Sequence, residues 1–106
     1  METPSLDYIR KLSKGNTDFE TKILQVIKDE FPVEKELYYQ KLLAGDYNEI
    51  AKIVHKLKHK MAVLSLEKGH KLAIEYEASL KLNQIAFQDE FESVLHKITL
   101  FLKQIV

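Results

Sequence analysis

The sequence predicts an all-α protein, an up-down four-helix bundle with a short extra helix at its N-terminus. Three observations carry this expectation. Apolar residues recur at a spacing near 3.6 in four long stretches. The chain of 106 residues has three glycines and two prolines, too little punctuation for many short strands. The connections between stretches are short, so the apolar stripes must bury against one another. At this length the chain is one domain, 1–106, with residues 1–16 as the short leading helix and 17–106 as the bundle.

The elements follow in order. Leu6, Ile9 and Leu12, with Tyr8, stripe the leading helix, and Gly15 and Asn16 stop it. Thr17-Asp18-Phe19-Glu20 has the form of a capping box, a hydroxyl followed three residues later by a carboxylate. Phe19, Ile23, Val26, Ile27 and Phe31 then recur at helical spacing. Pro32 ends or kinks that helix, and Leu37, Tyr38 and Leu42 resume the pattern before Ala44-Gly45 stops it. Asp46-Tyr47-Asn48-Glu49 is a second capping box and opens a helix striped by Ile50, Ile53, Val54, Leu57 and Met61. Val63-Leu64-Ser65 is its exit, with Ser65 expected to cap the next helix. Leu66, Leu72, Ala73, Tyr76 and Leu80 stripe that next helix, which ends near Leu82-Asn83. Phe87, Phe91, Val94, Leu95, Ile98, Leu102 and Ile105 stripe the last, which starts after Ala86. No internal repeat or low-complexity tract interrupts the order.

Composition removes several function classes. Hydrophobic residues make up 45% and charged residues 30%, the balance of a folded domain rather than a disordered one. Sixteen basic and sixteen acidic residues cancel, which argues against a nucleic acid or an acidic membrane as partner. There is no cysteine, so disulfides, thiolate metal sites and cysteine nucleophiles are excluded. The N-terminal METPSLDYIRKLSKGN has no signal-peptide core, and no apolar run reaches the roughly 18 residues of a membrane span. The expectation is a cytoplasmic monomer.

The most informative stretch is AKIVHKLKHKMAVLSLE, residues 51–67, which sets His55 and His59 among four lysines and has no carboxylate before Glu67. At about 100° per residue, His55 points roughly 145° away from the mean direction of Ile50, Ile53, Val54, Leu57 and Met61. It is therefore expected in solvent, not in the core. Ala51 and Ala62 lie on the same side, as do Lys58 at i+3 and His59 at i+4. Small neighbours leave room for another protein to reach the ring, and cationic ones can hold a dianion on it. This is what an imidazole needs in order to accept and pass on a phosphoryl group: a neutral nitrogen at neutral pH, with charge-assisted donors beside it.

His55-Lys56-Leu57-Lys58, with Ala62, Leu64 and Leu66 following, resembles the histidine-phosphotransfer (HPt) domain of bacterial and fungal phosphorelays. The lead-in of Leu37, Leu42, Gly45-Asp46 and Ile50 is similar to that family's, and Ile74-Glu75-Tyr76-Glu77 looks like its third bundle helix. The resemblance covers roughly residues 19–82. It implies a four-helix bundle whose exposed His55 takes a phosphoryl group from the aspartate of one receiver domain and gives it to another. Lys58 would then help to neutralise the phosphoryl group, and Ala51, Lys52 and Ala62 would meet the receiver. The resemblance also implies no kinase activity and no cofactor of the chain's own, with Mg²⁺ confined to the receiver partner. Three departures stand out. His59 replaces the usual glycine, where it would narrow access to His55, serve as an auxiliary donor to phosphate, or mark a branch that binds receivers without transferring phosphate. Val54 replaces a common alanine, and Lys60 and Met61 replace residues that are often small.

The same residues admit rival readings. An exposed histidine is most often only surface. His55 and His59 at i, i+4 have the spacing of a metal pair, but their own helix offers no third ligand and lysines surround them, so no metal site is expected. Lys52, Lys56, Lys58 and Lys60 spread over more than half of the helix circumference without interleaved aromatics, as a solvated face rather than a nucleic-acid patch. His70 is expected to pack half-buried and His96 to be structural. Tyr38, Tyr39 and Tyr47 would cap or line the bundle, and Glu75, Glu77, Asp89, Glu90 and Glu92 would be solvated. A non-catalytic helical adaptor, binding a receiver or another helical partner through the His55 face, is the alternative from another class.

Overall fold

A computed structural model describes residues 2–105. It contains five helices: α1 Asp7–Ser13, α2 Thr17–Ala44, α3 Tyr47–Val63, α4 Glu67–Lys81 and α5 Gln88–Gln104. There is no strand among the described residues, so the all-α expectation holds. Among the described residues no helix is long and apolar enough to cross a membrane. α3 packs on both α2 and α4, α5 packs on α4 and α2, and α1 docks on α2.

α2 sets the length of the molecule. Its 28 residues run about 42 Å at 1.5 Å per residue, close to the 44 Å long axis. Pro32 neither ends nor divides it. The pyrrolidine ring removes one ladder hydrogen bond, to the Lys28 carbonyl. The ring itself is exposed, while Phe31 and Tyr38 on either side are buried, so packing outweighs the local penalty. The cap of this helix is Asn16 rather than Thr17. Asn16 has extended backbone angles and its side chain accepts from the Phe19 N–H at 3.1 Å, whereas Thr17 is already helical. Phe19 and Val26, expected in the stripe, are 46% and 50% exposed. A stripe marks the apolar direction of a helix but not which of its turns has a neighbour to bury against.

α3 follows its sequence pattern closely. Asp46 caps it by accepting from the Glu49 N–H at 3.2 Å, and Ile50, Ile53, Val54, Leu57 and Met61 are all buried. The exit departs from expectation. Ser65 does not cap α4; it takes a left-handed conformation at φ 66°, and its hydroxyl accepts from the Tyr8 N–H of α1. Leu66 occupies the cap position without a side-chain acceptor. The open N–H groups of Lys68 and Gly69 instead donate to the Glu2 carboxylate at 2.8 and 3.0 Å, so the chain's start caps α4 across 66 residues. Gly69 also lets α5 come close, because a Cβ there would meet Val94 Cγ1 at 3.2 Å.

The core centres on aromatics that link three helices. Tyr38 of α2 is fully buried rather than capping an end, and it packs with Tyr76 of α4 and Phe91 of α5. Its hydroxyl lies 2.8 Å from the Tyr76 hydroxyl and donates to Glu92 at 3.0 Å, so the buried phenols are satisfied and Glu92 is not merely solvated. Burial raises the pKa of both phenols; Tyr76 and Glu92 raise that of Tyr38 further, while the bond with Tyr38 opposes the rise at Tyr76. On α5, Phe91, Leu95, Ile98 and Leu102 are buried, but Phe87 sits at the helix start with φ 66° and is 40% exposed. His96 is exposed, and His70 is half-buried as expected.

Candidate functional site around His55

His55 lies in the middle of α3 with its side chain 52% exposed, as the helical wheel requires. It borders an open cleft of about 800 Å³ between α3 and α4, lined also by Lys41, Ala51, Lys52, Glu77 and Lys81. Ala51 forms part of this lining but is itself only 4% exposed. Ala62 is elsewhere: it lines a separate depression with Tyr8 and Lys11 of α1 and with His70. The structure thus brings Ala51, Lys52 and His55 to one cleft and leaves Ala62 outside it.

The residue that sequence reasoning missed is Glu77. It was expected on a solvated face, yet it is 7% exposed and gathers three cationic or donor partners. Lys58 Nζ lies 2.9 Å from Oε1, and Lys81 Nζ lies 3.1 Å from Oε2. His55 Nδ1 lies 3.1 Å from Oε2 and 3.3 Å from Oε1. Burial alone would push this carboxyl up, but the bonds from Lys58, Lys81 and His55 outweigh it and hold the group down at about 2. The signal was present in the sequence. With Leu66, Leu72, Ala73, Tyr76 and Leu80 as the stripe of α4, Glu77 lies only about 70° from the core direction. A carboxylate on the shoulder of a core stripe needs a partner.

An ionised carboxylate has acceptors only, so the His55 nitrogen facing it carries the proton. Nδ1–H then donates to Glu77, and in the neutral ring Nε2 is the nitrogen that carries the lone pair. The arrangement fixes both tautomer and ring orientation. It also changes the role expected of Lys58. Its ammonium, on a side chain 15% exposed, is committed to Glu77 rather than standing free beside the imidazole.

His59 stands over the reactive side. Its Nε2 is 3.4 Å from His55 Nε2, and the rings meet edge to face with centroids 4.9 Å apart. Slight desolvation, then His55 and Lys58, lower its pKa from the ordinary imidazole value. The other lysines of the stretch do not form a shared basic patch. Lys52 pairs with Glu49 at 2.8 Å, and Lys60 turns inward to Glu30 and Glu34 at 2.6 and 3.1 Å on α2. Lys56 is the one of the four without a carboxylate partner among the described residues. Among those residues, too, no group of three or more His, Cys, Asp or Glu side chains is arranged to hold a metal ion.

No family model matches this chain, and neither a curated protein nor a solved structure proved similar to it.

Proposed function

We propose that the chain is a histidine-containing phosphotransfer protein, an up-down four-helix bundle of the HPt kind that relays a phosphoryl group between receiver-domain aspartates through His55. The observation that carries this reading is the pairing of an exposed imidazole with a buried, ionised Glu77, which puts a ring proton on Nδ1 and, in the neutral ring, the lone pair on Nε2, the nitrogen that faces His59. In the forward step the Nε2 lone pair attacks the phosphorus of an aspartyl phosphate in line. The Nε2–P bond forms as the acyl P–O bond breaks, and the aspartate departs as carboxylate. No proton has to leave Nε2, because the ring proton already sits on Nδ1. Glu77 stabilises the positive charge that develops on the ring, and the reverse sequence delivers the group to a second receiver. Lys58 positions Glu77 in the resting protein and is near enough to turn toward a dianion on His55 (an auxiliary role that His59 shares as an N–H donor). Transfer needs no kinase activity and no cofactor in this chain, with Mg²⁺ acting on the receiver side, and the protein works as a cytoplasmic monomer.

The test charges a panel of receiver domains with labelled phosphate and mixes each with wild type and with His55→Gln. Acid-labile, base-stable label on the wild type alone is the expected result. Receiver binding without any label in the wild type would sink the transfer mechanism.

One observation favours a second reading. The His59 ring lies where the incoming phosphorus must pass, 3.4 Å from Nε2. A chain that binds receivers without accepting phosphate, a helical adaptor, would tolerate that obstruction. His59→Gly separates the two: it accelerates labelling in a phosphotransfer protein and leaves an adaptor unlabelled.

A further inference from the structure

The two imidazoles that face each other on α3 have a geometry that phosphotransfer does not require. Their Nε2 atoms are 3.4 Å apart, one helical turn from each other. That is long for a hydrogen bond donated by a ring N–H, since N–H···O bonds favour about 2.9–3.0 Å. It matches the bite of a tetrahedral zinc ion: two Zn–N bonds of about 2.05 Å at the tetrahedral angle separate their nitrogens by roughly 3.3 Å. The supporting contact is also in place. A zinc-bound histidine characteristically donates its other ring N–H to a carboxylate, and His55 Nδ1 does so to Glu77. Lys58 and Lys81 are held on that carboxylate, so their charge is offset behind the ring rather than directed at the metal position.

We propose that His55 and His59 chelate a divalent d-block cation such as Zn²⁺ through their Nε2 atoms, with water completing the coordination. Two protein ligands make this an open, exchangeable site, unlike a structural zinc centre with three or four. On the phosphotransfer reading, on which this consequence rests, zinc and phosphorus compete for the same His55 lone pair, and the metal switches transfer off.

The test titrates Zn²⁺ alone into the full chain against a chromophoric zinc chelator. One zinc per chain is expected, with affinity at least about tenfold weaker in His59→Gln, at the lower end of what loss of even a supporting contact costs. A His70→Gln/His96→Gln double variant should bind as the wild type does. Ring ¹⁵N spectra should show zinc shifting both Nε2 signals more than either Nδ1. Wild-type affinity in His59→Gln, or loss of binding in the double variant, would overturn the chelate. Phosphate transfer is assayed separately in a metal chelator and then with added zinc. No transfer in the chelator, with His59-dependent zinc binding intact, removes the phosphotransfer reading and leaves the metal site standing. Transfer in the chelator without His59-dependent zinc binding removes the metal site alone.

Discussion

Replacing Glu77 by Gln keeps the shape of the side chain and removes the charge that His55, Lys58 and Lys81 share. The carboxyl is held at about 2, against an ordinary value of 4.5. At about 1.36 kcal/mol per unit this difference corresponds to roughly 3 kcal/mol of folded-state stabilisation. The Lys81 and His55 side chains are 64% and 52% exposed, so solvent screens their share, and about 2 kcal/mol is the working figure. The sign follows from the depressed value. The contribution is fully present above pH 4.5 and is lost as pH falls toward 2, where the carboxyl protonates in the folded state as well. Urea unfolding of wild type and Glu77→Gln at pH 7 should therefore differ by about 2 kcal/mol, and for a domain of this size the Tm should fall by about 10 °C. The gap should narrow steadily between pH 4.5 and pH 2. Equal stabilities at pH 7, or a gap that ignores pH across that window, would refute the account of Glu77 as an ionised, buried hub. The same variant should slow phosphate uptake by His55, because a neutral amide stabilises the charged ring less and can present either oxygen or NH₂ to Nδ1.

Three further outcomes are expected from the helix ends and from the interruption in α2. Asp46→Ala removes the acceptor for the Glu49 N–H and should cost about 1 kcal/mol, read as a lower urea midpoint with unchanged slope. Glu2→Ala leaves the Lys68 and Gly69 N–H groups without their carboxylate; it should cost about 0.5–1 kcal/mol and speed amide exchange in the first turn of α4, while Asp46→Ala leaves exchange there unchanged. Pro32→Ala restores a donor for the Lys28 carbonyl at an exposed position and should stabilise the protein by about 1–2 kcal/mol, the roughly 3 kcal/mol helix penalty of proline being partly offset by the more flexible unfolded chain. A loss of stability in that variant would mean that the ring itself packs usefully in the groove it lines with Phe31, Tyr39 and Leu102.

How much was legible differed from helix to helix. α3 was almost wholly so, because it is flanked on both sides by long neighbours and its stripe, its Asp46 cap and the outward direction of His55 are all properties of one helix. α2 was legible in kind but not in detail. Pro32 carries a penalty that sequence rules apply locally, whereas the burial of Phe31 and Tyr38 on either side is settled by α3, α4 and α5. The caps at Asn16 and Glu2 show the same division. Asn16 displaced Thr17 by a single position within one local pattern, while Glu2 reaches a helix 66 residues away, which no local pattern encodes.

By itself, then, the sequence determined the all-α class, the outer ends of the helices to within a residue or two (though not that α2 runs on through Pro32), and the exposure of His55. Those depend on short-range backbone preference and on the angular period of a single helix. Tertiary structure decided what surrounds that histidine. It placed Glu77 of α4 against His55 and Lys58 of α3, turned Lys60 inward to α2, and took Ala62 out of the cleft. The physical reason is that the charge state and tautomer of a side chain answer to whatever lies within about 4 Å. Across a helix pair that neighbour is set by the register and rotation of two elements, which neither helix specifies alone.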